Sequence, residues 1–322
     1  MKGDFVNKEK ESKRSIELAV NILKKGGIVS IMAETVYGLA VDSSNSKAIK
    51  TLFKLKNRPS YNPLIVHVDS IEMAEKFSYF TDDAKKIASK FWPGPLTMIL
   101  EKKKTKVLSD FTTAGLNTVA VRMPDSKVFL EVITKLNKPI AAPSANESGY
   151  ISPTNGIHVM DSFGDKVDLI IDSGRSKHGL ESTIINLKSK PYKVERLGII
   201  TREEIKKETN IKINKNINNL TRKIISPGQL KKHYSPKTPI RLNAKKPLKN
   251  EAYLSFGKSK ITNNSSLNLS PNGDLKEAAF NLFDFLRKLD KLNKARIAIS
   301  SIPDIGIGKT INERLKRASH YE

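Results

Sequence analysis

Lys56 and Arg58 stand two residues apart at the end of an amphipathic run that Pro59 halts. Such a pair projects positive charge into the next loop, Asn62-Pro63-Leu64, where a planar guanidinium and a mobile ammonium can hold phosphate oxygens. Pro143-Ser144-Ala145-Asn146 directly follows the apolar run 140–142. Hydroxyl and amide groups there stand at the carboxyl end of a strand, where open α/β sheets bind ligands. Glu34-Thr35-Val36-Tyr37-Gly38-Leu39 leaves one buried run, and Gly179-Leu180-Glu181-Ser182-Thr183 enters another. In both, a glycine allows close backbone approach beside polar groups. Arg122 follows the run 118–121 and can hold a carboxylate bidentately, while His67 closes the run 64–68. Each feature alone has a plainer reading: a helix end favouring cations, a capped turn, a surface ion pair, a structural histidine. No His/Asp/Glu cluster has metal-ligand spacing, and no nucleophile elbow, Walker loop or dinucleotide fingerprint is present.

The elements that must carry these residues alternate over the first ~200 positions. Residues 15–25 place Ile16, Ala19, Val20 and Leu23 on one helical face, stopped by Gly26-Gly27. Ser46 is the expected cap of a second helix with Ile49, Leu52 and Phe53 inward. Runs of strand length fall at 28–32, 64–68, 97–100, 118–121, 140–142, 169–171 and 183–187, interleaved with helical stretches at 83–91 and 127–136. This alternation predicts a layered α/β domain over residues 1–208. Residues 209–239 are rich in Asn and Lys and end in Ser226-Pro227-Gly228 and Ser235-Pro236, which reads as a basic linker. A smaller α/β unit, 240–322, follows, with strands at 240–242, 252–256 and 297–302 and helices at 275–292 and 310–318.

The 322 residues carry a net charge of +24, which invites a nucleic-acid reading. Lysine, however, outnumbers arginine 45 to 12 and Asn and Ile are abundant, the pattern of an AT-rich coding sequence at indifferent surface positions. Half of the excess, +12, lies in residues 210–260. The chain has no cysteine, which excludes a disulfide framework, a Cys-based metal site and a catalytic thiol. The first 14 residues lack an apolar core, and no apolar run approaches the ~20 residues that span a bilayer, so a soluble, cytoplasmic protein is expected.

Taken in order, the pieces are more specific than any one of them: Glu34–Leu39, Lys56-x-Arg58-Pro59-x-x-Asn62-Pro63-Leu64, Trp92-Pro93-Gly94-Pro95-Leu96-Thr97, Val121-Arg122-Met123-Pro124, Pro143–Asn146 and Glu181-Ser182-Thr183. The chain closely resembles the YrdC-like family of L-threonylcarbamoyl-AMP synthases. The likeness continues through Pro227-Gly228, His233-Tyr234-Ser235-Pro236, Leu269-Ser270-Pro271-Asn272-Gly273-Asp274 and Ile311-Asn312-Glu313-Arg314-Leu315, and so matches the long, two-domain form.

The resemblance implies a twisted mixed sheet with flanking helices and a concave site, plus a smaller Rossmann-like α/β domain. It implies that L-threonine, bicarbonate or CO2, and ATP with Mg²⁺ condense to threonylcarbamoyl-AMP and pyrophosphate, without an organic cofactor. The product would pass to the tRNA threonylcarbamoyl-transferase machinery, with a weak tRNA contact and no membrane partner. By the family's pattern Lys56, Arg58, Ser144 and Asn146 form a catalytic tetrad around the triphosphate. Arg58, Asn62, Thr118, Ser144, Ser152 and Arg196 line the nucleotide, with Tyr234 folding over it from the linker. Thr35, His67, Arg122, Ser182 and the Ala142 backbone hold threonine. Two departures stand out. Met32-Ala33 replaces the family's usual Pro-Thr, removing a hydroxyl near threonine, and Arg175-Ser176-Lys177-His178 is unusually basic. Two other readings compete: a non-catalytic double-stranded RNA or tRNA-binding protein, whose affinity would fall steeply with salt, and a carbamoyl-transfer module like those of hydrogenase-maturation proteins. The latter carry zinc fingers that a chain without cysteine cannot form.

Overall fold

Ser12 opens the first helix through a capping box with Ser15, and the turn at Gly26, with φ of 81°, ends its run. The computed structural model describes residues 8–214, 224–230 and 232–320. The remainder of the basic linker, residues 215–223 and 231, lies outside the described residues. The described residues begin with β1 (Lys8–Lys10), α1 (Lys13–Lys24), β2 (Val29–Met32), β3 (Tyr37–Asp42), α2 (Ser46–Leu55), β4 (Ile65–His67), α3 (Ile71–Glu75) and α4 (Asp82–Phe91). It continues through β5 (Leu96–Glu101), β6 (Thr118–Arg122), α5 (Lys127–Leu136), β7 (Ile140–Ala141), α6 (Gly156–Phe163) and β8 (Leu169–Asp172). β9 (Thr183–Asn186), β10 (Lys193–Arg196) and α7 (Arg202–Thr209) close this part. β11 (Ile240–Arg241), β12 (Glu251–Ser255), β13 (Ser266–Asn268), α8 (Leu275–Asp290), β14 (Arg296–Ile299) and α9 (Gly308–Ala318) form the rest.

The first ten strands make one mixed sheet in the order β1-β8-β2-β3-β7-β4-β6-β5-β9-β10. α1, α4 and α5 cover one face through Ile16, Leu23, Ile87, Phe129 and Val132. α2 and α6 cover part of the other through Ile49, Leu52, Val159 and Phe163. The last four strands form a wholly parallel sheet, β11-β14-β12-β13. The α/β class with its larger mixed and smaller second sheet is therefore as expected.

The two units share a core. Leu254, Ile297, Phe283 and Leu315 of the smaller one pack in one cluster with Val36, Ile151 and Leu180 of the larger. Arg175, from the unusually basic loop, donates to Phe280 O and Asn281 Oδ1 of α8 at 2.9 and 3.0 Å. Arg175 thus helps to dock the second unit, while Lys177 of the same loop pairs with Asp125 of the larger one. At Gly198, between β10 and α7, a Cβ would lie 2.2 Å from Thr183 N and 2.4 Å from Ser182 C. Backbone cannot yield as a side chain can, so Gly198→Ala is expected to cost about 3 kcal/mol or more of stability. Urea unfolding checks it, and an unchanged midpoint would show that β9 and β10 can separate here.

Three local differences from the sequence reading have physical causes. Asn45, not Ser46, caps α2, its Oδ1 accepting from Lys47 N and Ala48 N; Ser46 instead bonds the Ser109 hydroxyl. Tyr37–Asp42, which read as a loop leaving a strand, is itself a strand in the sheet interior, buried on both faces and so without alternation. α7, which the sequence reading did not include, has only Ile205 and Thr209 buried and offers little periodicity; a Thr201/Glu204 capping box opens it.

Candidate functional site

β4 and β6 run parallel with His67 and Arg122 in register, so both reach the same end of the sheet. An isolated bridge between Gly38 and Ser144 brings the loop after β7 to the start of β3. Between these ends lies a cavity of about 50 Å³, lined by Thr35, Arg58, His67, Arg122, Ala142, Ser144, Ser182 and Arg196. Pro227, Gly228, His233 and Tyr234 of the linker close it. Nine of the residues singled out in sequence thus meet around one cavity.

Arg58 donates from Nε to Asn62 O (3.0 Å) and from Nη2 to Asn62 Oδ1 (2.8 Å) and Pro63 O (2.7 Å). Asn62 lies behind the guanidinium and aims it. Arg196 is held likewise, with Nε and Nη2 donating to Ser182 O at 3.1 and 3.0 Å. Neither guanidinium has a carboxylate partner among the described residues, and Nη1 of each remains for a ligand. Burial and the neighbouring Arg196 cation push Arg58 down to about 9. Burial lowers Arg196 as well.

Lys56 does not line the cavity. It is 1% exposed, and its Nζ donates to Ser144 O (2.6 Å) and to Asn146 O, which ties the 143–146 loop to the end of α2. Burial, and then Arg58, hold its pKa well below the usual lysine value. Asn146 faces away, its amide donating to Glu147 O and Tyr150 O while Oδ1 has no partner. Of the four tetrad residues, then, Arg58 and Ser144 front the cavity and Lys56 and Asn146 support it from behind. Thr118 opens β6 and Arg122 ends it, about 13 Å further along the strand. Thr118 therefore lies outside the cavity. Ser152 also stands behind the wall, its hydroxyl 2.5 Å from Glu181 Oε1.

On the other side, Arg122 donates to Glu34 Oε1 (2.5 Å), Thr35 Oγ1 (3.0 Å) and Gly94 O (3.1 Å), the last from the Trp-Pro-Gly-Pro loop. Three of its five N–H groups are used and two remain. His67 stacks on Phe129 with ring centroids 4.9 Å apart. Burial and the Arg122 cation push it down to about 3, so it is a neutral imidazole throughout the physiological range. Ser182 Oγ lies 2.8 Å from Thr97 Oγ1, and Ala33 lines the cavity with a methyl group where the family pattern has a hydroxyl.

Four participants were missed in sequence. Glu34 and Glu181 are buried carboxylates, each within a motif string that supplied the expected Thr35 and Ser182. His233 packs against Tyr234 with centroids 3.9 Å apart, burial holding it well below the usual histidine value. Arg314 reaches the wall from α9, where only its place in the Asn-Glu-Arg-Leu string marked it.

The architecture defines a class: an α/β protein with a closed, cation-lined pocket for small anionic ligands at its strand ends, covered by a strap between two units. The Sua5/YciO/YrdC profile, described as telomere recombination, matches residues 21–198, and the threonylcarbamoyl-AMP synthase C-terminal domain profile matches 200–320. The threonylcarbamoyl-AMP synthase of Pyrococcus abyssi is 33% identical over 98% of this chain and 96% of its own length. That of Bacillus subtilis is 35% identical over 94% and 92%. The crystal structure of P. abyssi Sua5 complexed with L-threonine superposes with a TM-score of 0.86 at 33% identity, covering 97% of this chain and 96% of that one. The chain belongs to the YrdC-like family, in its two-domain form with the Sua5 C-terminal domain.

Proposed function

We propose that this chain condenses L-threonine, bicarbonate or CO2, and ATP into threonylcarbamoyl-AMP and pyrophosphate, for threonylcarbamoyl-adenosine modification of tRNA. The carrying observation is the pair Arg58 and Arg196, buried guanidiniums that form no salt bridge with a carboxylate among the described residues. A buried charge is costly unless an opposite charge arrives, and a polyphosphate supplies it. Threonine's neutral amine adds to CO2 and releases one proton to give a carbamate; where bicarbonate is the source, the hydroxide left by its dehydration to CO2 takes up that proton as water. A carbamate oxygen then attacks the α-phosphorus as the bond to the pyrophosphate oxygen breaks. Arg58 and Arg196 stabilise the negative charge of the phosphates, and Arg122 uses its two remaining N–H groups on the threonine carboxylate, which fixes the amine. Mg²⁺ would enter with the triphosphate as part of the substrate. No covalent enzyme intermediate is needed.

A cavity of about 50 Å³ is far below the several hundred Å³ of sites for ligands of this size. The strap, described at residues 226–230 and 232–235, must lift for ATP to enter, and its return excludes water from the labile mixed anhydride. Tyr234, held with φ of 64° and its hydroxyl without a partner, then meets the nucleotide. No helix among the described residues is long and apolar enough to cross a membrane. Incubation with MgATP, threonine and bicarbonate is expected to release pyrophosphate only when all are present. Equal release without threonine would sink this function.

A further inference from the structure

Arg314 is 1% exposed, although it belongs to α9 of the C-terminal unit and points into the larger one. Its Nε donates to Glu181 Oε2 at 3.0 Å and its Nη2 to Leu197 O at 2.7 Å, while Nη1 pairs with Glu313. Its guanidinium also lies over the Tyr234 ring, 4.7 Å from the centroid. The second oxygen of Glu181 takes the Ser152 hydroxyl. Glu313 in turn accepts from Arg317, which donates to Leu230 O of the strap. One side chain therefore meets the mouth of β9, the exit of β10 and the strap at once.

Burying a guanidinium is an inefficient way to join two units, since apolar packing of the same volume usually stabilises as well or better. The apolar part of this interface already exists around Phe283, Leu180 and Ile151. What a fork adds is direction: Glu181 is held so that it faces Ser152, and the Tyr234 ring is held between Arg314 and Phe283, which stacks at 5.6 Å. The threonine half has its own supports. Arg122 is anchored by Glu34, Thr35 and Gly94, and Ser182 by Thr97 and Arg196.

We propose that Arg314 is a positioning residue for the nucleotide half of the site, acting through Glu181, which lines the cavity, and through the Tyr234 ring on the strap. The C-terminal unit thereby sets ATP affinity and leaves threonine affinity to the larger unit. This inference rests on the function proposed above. The test is calorimetric titration of the full chain with MgATP and, separately, with threonine, for wild type, Arg314→Met and Arg314→Lys. Arg314→Met is expected to weaken ATP on the order of tenfold to a hundredfold, with threonine affinity held within about twofold. Arg314→Lys recovers part of the ATP affinity, because an ammonium can pair with Glu181 or lie against Tyr234 but cannot span both. Should Arg314→Met fail to fold, the double variant with Glu181→Gln removes the stranded carboxylate, and the same selective ATP loss is expected of it. Unaltered ATP affinity in a folded variant, or parallel loss of ATP and threonine, overturns the positioning role alone. A wild type that binds neither ligand overturns the proposed function and this inference with it.

Discussion

Arg58→Ala is expected to abolish nearly all threonine-dependent pyrophosphate release while leaving the fold in place. Two effects on stability oppose each other. Removing the guanidinium strands the acceptors Asn62 O, Asn62 Oδ1 and Pro63 O, at about 1–3 kcal/mol for a buried unsatisfied group. It also removes one of two buried cations that repel each other, since Arg196 helps to hold Arg58 down at about 9. The second offsets part of the first, so the melting temperature is expected to fall by less than the stranded acceptors alone would cause. Nothing offsets the effect on catalysis. A preorganised donor facing developing charge is worth about 10²–10³ in turnover, and Arg58 also supplies ground-state attraction for the triphosphate. Arg58→Lys should restore little, because an ammonium cannot bond Asn62 and Pro63 from behind while presenting a free edge to the cavity. Pyrophosphate release at saturating threonine, with thermal unfolding alongside, checks both halves. A variant of unaltered rate would remove Arg58 from the site.

The division of labour behind that result was only partly legible in sequence. The ordered motifs and the family resemblance they carry brought Arg58, Ser144, Thr35, His67, Arg122, Ser182 and Arg196 together, and all but Arg58, which follows α2, sit close to a strand end. The register of β4 on β6 does the rest by placing His67 beside Arg122. Which of these residues front the cavity was not legible. Lys56 and Arg58 are two apart at a helix end, and only the path of the 143–146 loop decides that the lysine faces backbone carbonyls and the arginine faces the cavity. Supporting carboxylates were harder still. Glu34 and Glu181 are adjacent in sequence to residues that were noticed, yet their role depends on partners 88 and 133 positions away. The fold shows the same limit. α1 and α5 have clear apolar stripes and were evident, whereas β3, buried on both faces, lacks the alternation that marks a strand.

Arg122→Met separates binding from stability most cleanly, because Arg122 and Glu34 are a buried ion pair with side chains 4% and 2% exposed. Removing the arginine leaves a carboxylate with one oxygen stripped of its partner and the other already without one. Breaking such a pair from one side costs about 3–5 kcal/mol. Threonine affinity should fall by about a hundredfold or more, since its carboxylate loses a charged, doubly donating partner. The two losses have different remedies. Adding Glu34→Gln neutralises the stranded group, so most of the stability is expected to return. Threonine affinity is not, because no cation remains on that wall: His67 is neutral, and the Arg58 and Arg196 guanidiniums are anchored to Asn62 and Ser182. Urea unfolding and threonine titration of the single and double variants read the two quantities separately. Recovery of threonine binding in the double variant would show that Arg122 serves only to neutralise Glu34. A single variant as stable as wild type would mean that the buried pair of Arg122 and Glu34 adds nothing to the stability of the fold.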